Sequence, residues 1–498
     1  MKRDVPFWAA LAALALHLVG NAHYGFFRDE LYFIMCGRHP ALGYVDQPPL
    51  VPWLAALTQV FGHSLFALRV VPAIGAAAVT WASAVLARDL GGNRFAQALS
   101  AIFVTLGSTL MLQGVLLTTD VFQPFVWTFT ILCVQRIATG TQGPRTGVFL
   151  GLALGTGALS KYSIAFFGLS LLVALLLTPE RRALRTRPVL IGIAIGCAIG
   201  LPSVVWQVAH GLPFLELLRN GSHGKNVVLG PSAFAVAQLK MLNPFFAPFW
   251  LTGLWFVFRR RELRWIGITY VLLYLLFFFL HGKDYYLMAI YPALFSAGAV
   301  QVDVWTTHRR RLRPVVFGFA VASGIFLLPV TLPILPIDTF IAYESALHVV
   351  PKAAENQRLD RLPQYWADMF GWPELAETMA RVYSTLSPEE RRRAFILVDN
   401  YGEASAINFF GPSLGLPPAI SGHNAYFTWG PGPNVDADLM IDMNATVDDD
   451  RNACADARLG GVHHNPYAMP YEQNLSIVVC RGSYEPLWKL FPKQRHFN

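Results

Sequence analysis

Charge is scarce in this sequence. Only 14% of its 498 residues are Asp, Glu, Lys or Arg, while 54% are hydrophobic and the mean hydropathy is +0.42. An ordinary soluble domain carries about 25% charged residues, so the balance excludes a plain soluble enzyme if the apolar runs can cross a bilayer. Internal repeats and low-complexity stretches are also missing. Secondary transporters commonly show duplicated halves with charges near the bilayer midplane; here the ionisable residues of the apolar region sit at run ends. No basic stripe is interleaved with stacking aromatics, so the net charge of +8 is not the footprint of a nucleic-acid partner. No small-x-small cleavage site follows the first apolar run, which predicts a retained signal anchor. Cysteine is sparse, at five. Cys133 and Cys197 fall inside apolar runs and read as small buried hydrophobes. Cys454 and Cys480 lie in the polar tail, free to pair in an oxidising compartment, and the sequence alone does not fix that pairing.

What is present is a series of apolar runs of spanning length. A membrane helix needs about 20 apolar residues, and about eleven candidate spans satisfy that requirement. They begin near Val5, Ala67, Phe95, Val121, Gly147, Ser163, Pro188, Phe234, Trp265, Tyr286 and Pro314. Basic residues cluster on every second loop: Lys2 and Arg3, Arg88 and Arg94, Arg136 and Arg145, then "ERRALRTR", "RRRELR" and "HRRRLR". The positive-inside rule assigns those loops to the cytoplasm. The alternate loops, and everything after Pro336, then face the periplasm or exterior of a bacterial inner membrane.

Beyond "LPVTLPILPIDTF" the composition returns to soluble levels. "RAFILVDNYGEASAINFFG" reads as a strand followed by a helix, "ADLMIDM" and "LSIVVC" as strands, and Trp372 to about Leu386 as a helix. The chain therefore divides into a polytopic α-helical membrane part, 1–335, with an exported loop at 23–66, and an exported α/β domain, 336–498.

The first exported loop, "FFRDELYFIMCGRHPALGYVDQPPL", places Asp29, Glu30 and Asp46 among aromatic residues. A helix over Phe26–Cys36 would gather Phe27, Leu31, Ile34 and Met35 into one apolar stripe lying in lipid, with Asp29 on the other face beside Tyr32 and Phe33. Solvated loop carboxylates are the plain alternative. Asp120, in "LLTTDVFQP", suits a helix N-cap and equally a functional site, because a carboxylate at the membrane boundary is costly to bury. Lys161 interrupts an apolar run and reads alternatively as a snorkelling lysine. "HGKDYY" adds Lys283 beside Tyr285 and Tyr286. An ammonium is a good point-charge partner for phosphate. Tyr32, Tyr44, Tyr285 and Tyr286 suit either a sugar or lipid contact or an interfacial aromatic belt. His223 and His281 read as loop histidines rather than metal ligands.

"RDELYF", "GYVDQPPL", "LSKYS", "GKDYYLMAIYPALFSAGA" and the tail "DNYGEASAINFFGP" with "SGHNAYFTWGPG" resemble the bacterial membrane glycosyltransferases of the protein O-mannosyltransferase superfamily. This GT-C group, family 39-like, includes the lipid A aminoarabinose transferase and the lipid A galacturonosyltransferases. The resemblance implies transfer of a sugar from a polyprenyl-phosphate donor to a hydroxyl of lipid A, protein or an envelope glycan on the exported face. It assigns the catalytic base to Asp29, in the pair with Glu30, and a second acidic site to Asp46; Asp120 joins these candidates from its place at the membrane boundary alone. The aminoarabinose enzyme carries Glu-Lys-Pro-Pro where this chain has Asp46-Gln47-Pro48-Pro49, so the phosphate contact falls to Lys161, Lys283 or Arg28. The resemblance leaves room for a divalent metal between the carboxylates, and no tight His/Asp ligand spacing demands one. Two alternatives stay open: a flippase or transporter of lipid-linked saccharide, and an oligosaccharide ligase of similar architecture.

Overall fold

The computed structural model describes residues 5–221, 227–348 and 355–498. Lys2, Arg3 and His223 lie outside the described residues. Helices succeed one another from Val5 to Ala346, and strands enter only from Ala394 onward. Among the described residues, five helices are long and apolar enough to cross a membrane: Leu65–Asp89, Arg187–Ala209, Arg261–Phe279, Asp284–Thr306 and Leu312–Thr331. Two bent pairs, Ile164–Leu176 with Pro179–Arg185 and Pro231–Lys240 with Pro244–Arg259, raise the number to as many as seven. The starts read from the sequence all fall at or close to a helix start. Several of those helices, such as Arg94–Thr105 and Thr146–Ser160, stop short of a full span. Hydropathy registers composition, whereas a turn such as Leu106–Gly107 ends a helix without any loss of apolar character.

Burial separates centre from perimeter. The Asp284–Thr306 span is 94% buried, Arg187–Ala209 only 28% and Leu312–Thr331 only 22%. Outer helices expose residues such as Leu190, Leu201, Val205 and Val208, a surface stable only against lipid. The central helix packs so closely on Ala247–Arg259 that a Cβ on Gly253 would lie 1.9 Å from the Leu294 carbonyl oxygen. Thr146–Ser160 and Arg187–Ala209 meet in the same way. Cβ atoms added at Gly151 or Gly155 would come within 2.5 and 2.7 Å of Ile195 and Ile199. Small residues at such contacts are how helices associate where lipid removes the hydrophobic drive. Cys197, expected to be buried, is exposed on the outer helix.

The C-terminal domain holds a sheet of strands β1 (Ala394–Leu397), β2 (Ala419–Ile420), β3 (Leu439–Met443), β4 (Cys454–His464) and β5 (Asn474–Ser483), ordered β2-β1-β3-β5-β4. β1 runs parallel to β2 and β3, and β5 antiparallel to both of its neighbours. β4 has no continuous apolar run because it is an edge strand, with an irregularity between Leu459 and Gly461. Cys454 and Cys480 form a disulfide that ties β4 to β5.

The first loop carries a helix, Arg28–Arg38. Its Leu31, Ile34 and Met35 do not face lipid. They are buried in one core with Ala404 and Ile407 of the Tyr401–Phe410 helix. The C-terminal domain supplies the dry surface that the stripe requires.

Candidate active site

Glu30 organises the loop. Its carboxylate accepts from the backbone N–H of Phe27 at 2.9 Å and of Leu117 at 3.1 Å, and from buried Arg69 at 2.9 and 3.0 Å. Arg69 also donates to the carbonyls of His23 and Gly25. Every oxygen of Glu30 is thus engaged, and the side chain does not line the adjoining cavity. Its neighbour Asp29, roughly 100° further round the helix, does.

That cavity, about 260 Å³, collects Arg28 and Asp29, Asp120, Lys161, Lys283 and Tyr285, with Glu355, Gln364 and Tyr365 from the C-terminal part. Phe33, Leu112 and Leu116 give it an apolar wall. Asp120 is not an N-cap: the Gln123–Ala138 helix has Phe122 at that position without a side-chain cap. Asp120 Oδ2 instead accepts from Lys161 Nζ at 2.6 Å. Lys161 lies just past the end of Thr146–Ser160, with its ammonium 4.6 Å from the Tyr286 ring centroid. Lys283 Nζ donates to Glu355 Oε1 at 2.9 Å. Three carboxylates and three cations therefore face one space.

Asp46 lies in a second cleft of about 180 Å³, shared with Lys283, Tyr286, Glu355 and Tyr401. The turn carrying it is pinned by Tyr44 N–H donating to the Gln47 carbonyl, and by Gln207 donating to the Tyr44 carbonyl. Tyr32 donates its hydroxyl to Asp46 Oδ1 at 2.9 Å, and the Tyr44 hydroxyl is spent on the Cys36 and His39 carbonyls. Both tyrosines are buried. Only Tyr285 and Tyr286, of the four read from the sequence, line either cleft. His281 is an exposed turn residue.

Arg28 lies between the two parts of the chain. Its guanidinium donates to the Tyr471 hydroxyl at 2.6 Å and stands 3.6 Å from Asp29 and 3.8 Å from Asp368. Burial opposes its charge, but Asp368, Tyr401, Tyr471 and Asp29 outweigh that and hold it above its ordinary range. Burial pushes Asp368 up to about 6 against the pull of Arg28. Asp29 Oδ1 accepts from the Tyr401 hydroxyl at 2.9 Å. Among the described residues, no group of three or more His, Cys, Asp or Glu is arranged to hold a metal ion.

Sequence reasoning passed over Glu355, Asp368 and Tyr401. Tyr401 lies in "DNYGEAS", which the sequence marks only as a strand giving way to a helix. Glu355 carried no local signal.

A solved structure of ArnT from Cupriavidus metallidurans superposes with a TM-score of 0.60 at 15% identity, covering 95% of this chain and 97% of that one. The same protein bound to undecaprenyl phosphate gives 0.56 at 14% identity. The chain has the fold of ArnT. Residues 46–206 match the family described as dolichyl-phosphate-mannose-protein mannosyltransferase. The lipid A galacturonosyltransferase RgtD of Rhizobium johnstonii is 27% identical over 262 residues, half of this chain. The polyprenol-phosphate-mannose–protein mannosyltransferase of Corynebacterium glutamicum is 30% identical over 159 residues, 26% of this chain. The chain spans 54% and 31% of the lengths of those two relatives. The matched family and relatives agree with the glycosyltransferase resemblance read from the sequence, and the ArnT-like fold, with its apolar helices and small C-terminal sheet, bears out the fold class.

Proposed function

We propose that the protein transfers a sugar from a polyprenyl-phosphate donor to a hydroxyl of lipid A, protein or an envelope glycan, on the exported face of a bacterial inner membrane. One observation carries this reading. Asp29 shares a cavity with Lys161 and Lys283, and an apolar wall stands beside them where a lipid-linked donor would rest. The acceptor oxygen bonds to the anomeric carbon as its proton passes to Asp29, and the carbon–oxygen bond to phosphate breaks. Polyprenyl phosphate leaves with the electron pair, and the two lysines stabilise its growing charge. A single base opposite the leaving group gives direct displacement, hence inversion. Asp29 Oδ2 accepts no hydrogen bond among the described residues, which leaves it open to the acceptor hydroxyl. Two names support the donor class, one relative using polyprenol-phosphate-mannose and ArnT binding undecaprenyl phosphate, while that of RgtD supports lipid A as an acceptor.

Asp29→Asn keeps the shape of the side chain but cannot take a proton. General-base assistance contributes about 10²–10⁴-fold, so purified Asp29→Asn should lose at least that in turnover while polyprenyl-phosphate binding holds. Transfer at the wild-type rate would move the base to Asp46 or Asp120, and retained partial transport without transfer would favour the flippase reading. A reporter fused after Gly402 should read out on the exported side, and one after Arg261 in the cytoplasm; the reverse would put the cavity on the wrong face.

A further inference from the structure

Asp29 and Tyr401 are 372 residues apart, yet the Tyr401 hydroxyl donates to Asp29 Oδ1 at 2.9 Å. Tyr401 belongs to the C-terminal domain, as the first residue of the helix Tyr401–Phe410. That helix start is firmly built. Asn400 caps it by accepting from the backbone of Gly402 and Glu403, while Glu403 accepts back from Asn400 N–H. Gly402 makes room for Arg28: a Cβ there would fall 2.6 Å from Arg28 Cγ.

The ring is held on several sides. It lies 4.5 Å from the Tyr32 ring at 31°, the Arg28 guanidinium is 5.3 Å from its centroid, and His423 packs at 4.7 Å. Burial pushes the phenol well above its ordinary range, so at neutral pH it can only donate to a carboxylate. Packing alone would be satisfied by the ring. The hydroxyl, however, ends on a carboxylate that retains 30% side-chain exposure and faces the cavity. Its stacking partner Tyr32 does the same for Asp46. Two stacked tyrosines thus each hold one acidic side chain of the exported loop.

We infer that Tyr401 is a positioning residue for Asp29, so that the C-terminal domain completes the catalytic site. The inference rests on the reading of Asp29 as the base. The bond to Oδ1 fixes the carboxylate plane and leaves Oδ2 to receive the acceptor proton. Other charged or titratable groups near Asp29 are Arg28, Asp368, Lys283, Tyr285 and Glu355, with Asp120 and Lys161 lining the same cavity. Tyr401→Phe leaves all of them in place.

The test uses the full chain in lipid nanodiscs, with Tyr401→Phe and Asp29→Asn in parallel. The first readout is the infrared carboxylate band of Asp29, isolated by subtracting the Asp29→Asn spectrum and titrated with pH. A hydrogen bond to the charged form favours that form, so its loss in Tyr401→Phe should move the midpoint to higher pH. The second readout is transfer from the polyprenyl-phosphate sugar that the wild-type protein consumes. Turnover should fall about 10- to 100-fold, the range of one hydrogen bond to a charged group. The donor KM should stay constant, and the acidic limb of the rate profile should move up with the band. An unchanged midpoint and rate in Tyr401→Phe, with Asp29→Asn inactive, overturns the positioning role alone. Wild-type transfer by Asp29→Asn overturns the base assignment and the positioning role with it.

Discussion

Lys161 and Asp120 are joined at 2.6 Å across 41 residues of sequence, on the wall of the cavity that also holds Asp29. The lysine is therefore partly neutralised before any donor arrives, as is Lys283 by Glu355. On the proposed function, a donor phosphate entering the cavity would share these ammonium groups with carboxylates, which would keep the site from gripping its product too tightly.

Lys161→Ala and Lys283→Ala should each lower turnover of a polyprenyl-phosphate sugar by about 10- to 100-fold, as expected for losing a charged hydrogen bond. Steady-state kinetics at saturating acceptor measures this. Wild-type kinetics in both variants would assign the phosphate to another group.

Arg69 should matter for folding rather than chemistry. Arg69→Met removes the cation partner of Glu30 where both side chains are fully buried, and breaking such a pair costs about 3–5 kcal/mol. Thermal unfolding in detergent should show a large drop for Arg69→Met. The same stability as wild type would mean that the loop is anchored by its packing alone.

The C-terminal domain should respond to pH through Glu403 and Glu472, which share the amide of Asn400. Burial pushes Glu472 from its ordinary 4.5 up to about 7, and Glu403 well above its usual range. The folded domain then holds protons that the unfolded chain releases. Stability from this pair is complete below the ordinary carboxyl range and is lost as pH rises through about 7. Hydrogen exchange in the segments around Asn400 and Glu472, corrected for intrinsic rates, should show greater protection at about pH 5 than at about pH 8. Glu472→Gln should flatten that difference; a persistent slope would place its origin elsewhere.

The membrane class, the strand-to-helix turn at Asn400 and the gathering of Asp29, Asp120, Lys161 and Lys283 were legible because each depends on local pattern or on side-of-membrane bookkeeping. What stayed hidden was long-range. The stripe of Leu31, Ile34 and Met35 announces a dry partner, but lipid and protein satisfy it equally in one dimension. Glu30 and Asp29 look alike as neighbours, and only the approach of Arg69 separates a structural carboxylate from one that faces the cavity. β4 escaped because an edge strand needs no apolar run. Tyr401 could be seen at a helix start but not across the 372 residues that separate it from its partner.

The glycine contact between Thr146–Ser160 and Arg187–Ala209 has a bearing on Lys161, which follows the first of these helices directly. The two backbones pack closely at these glycines, and Lys161 takes its place on the cavity wall from the end of that packed pair. Gly155 sits six residues before it, about 9 Å along the axis at the usual helical rise. A methyl group added there would press on Ile199 and tilt the pair like a shim under one end of a beam, drawing the Lys161 ammonium away from Asp120 from a position that lines neither cleft.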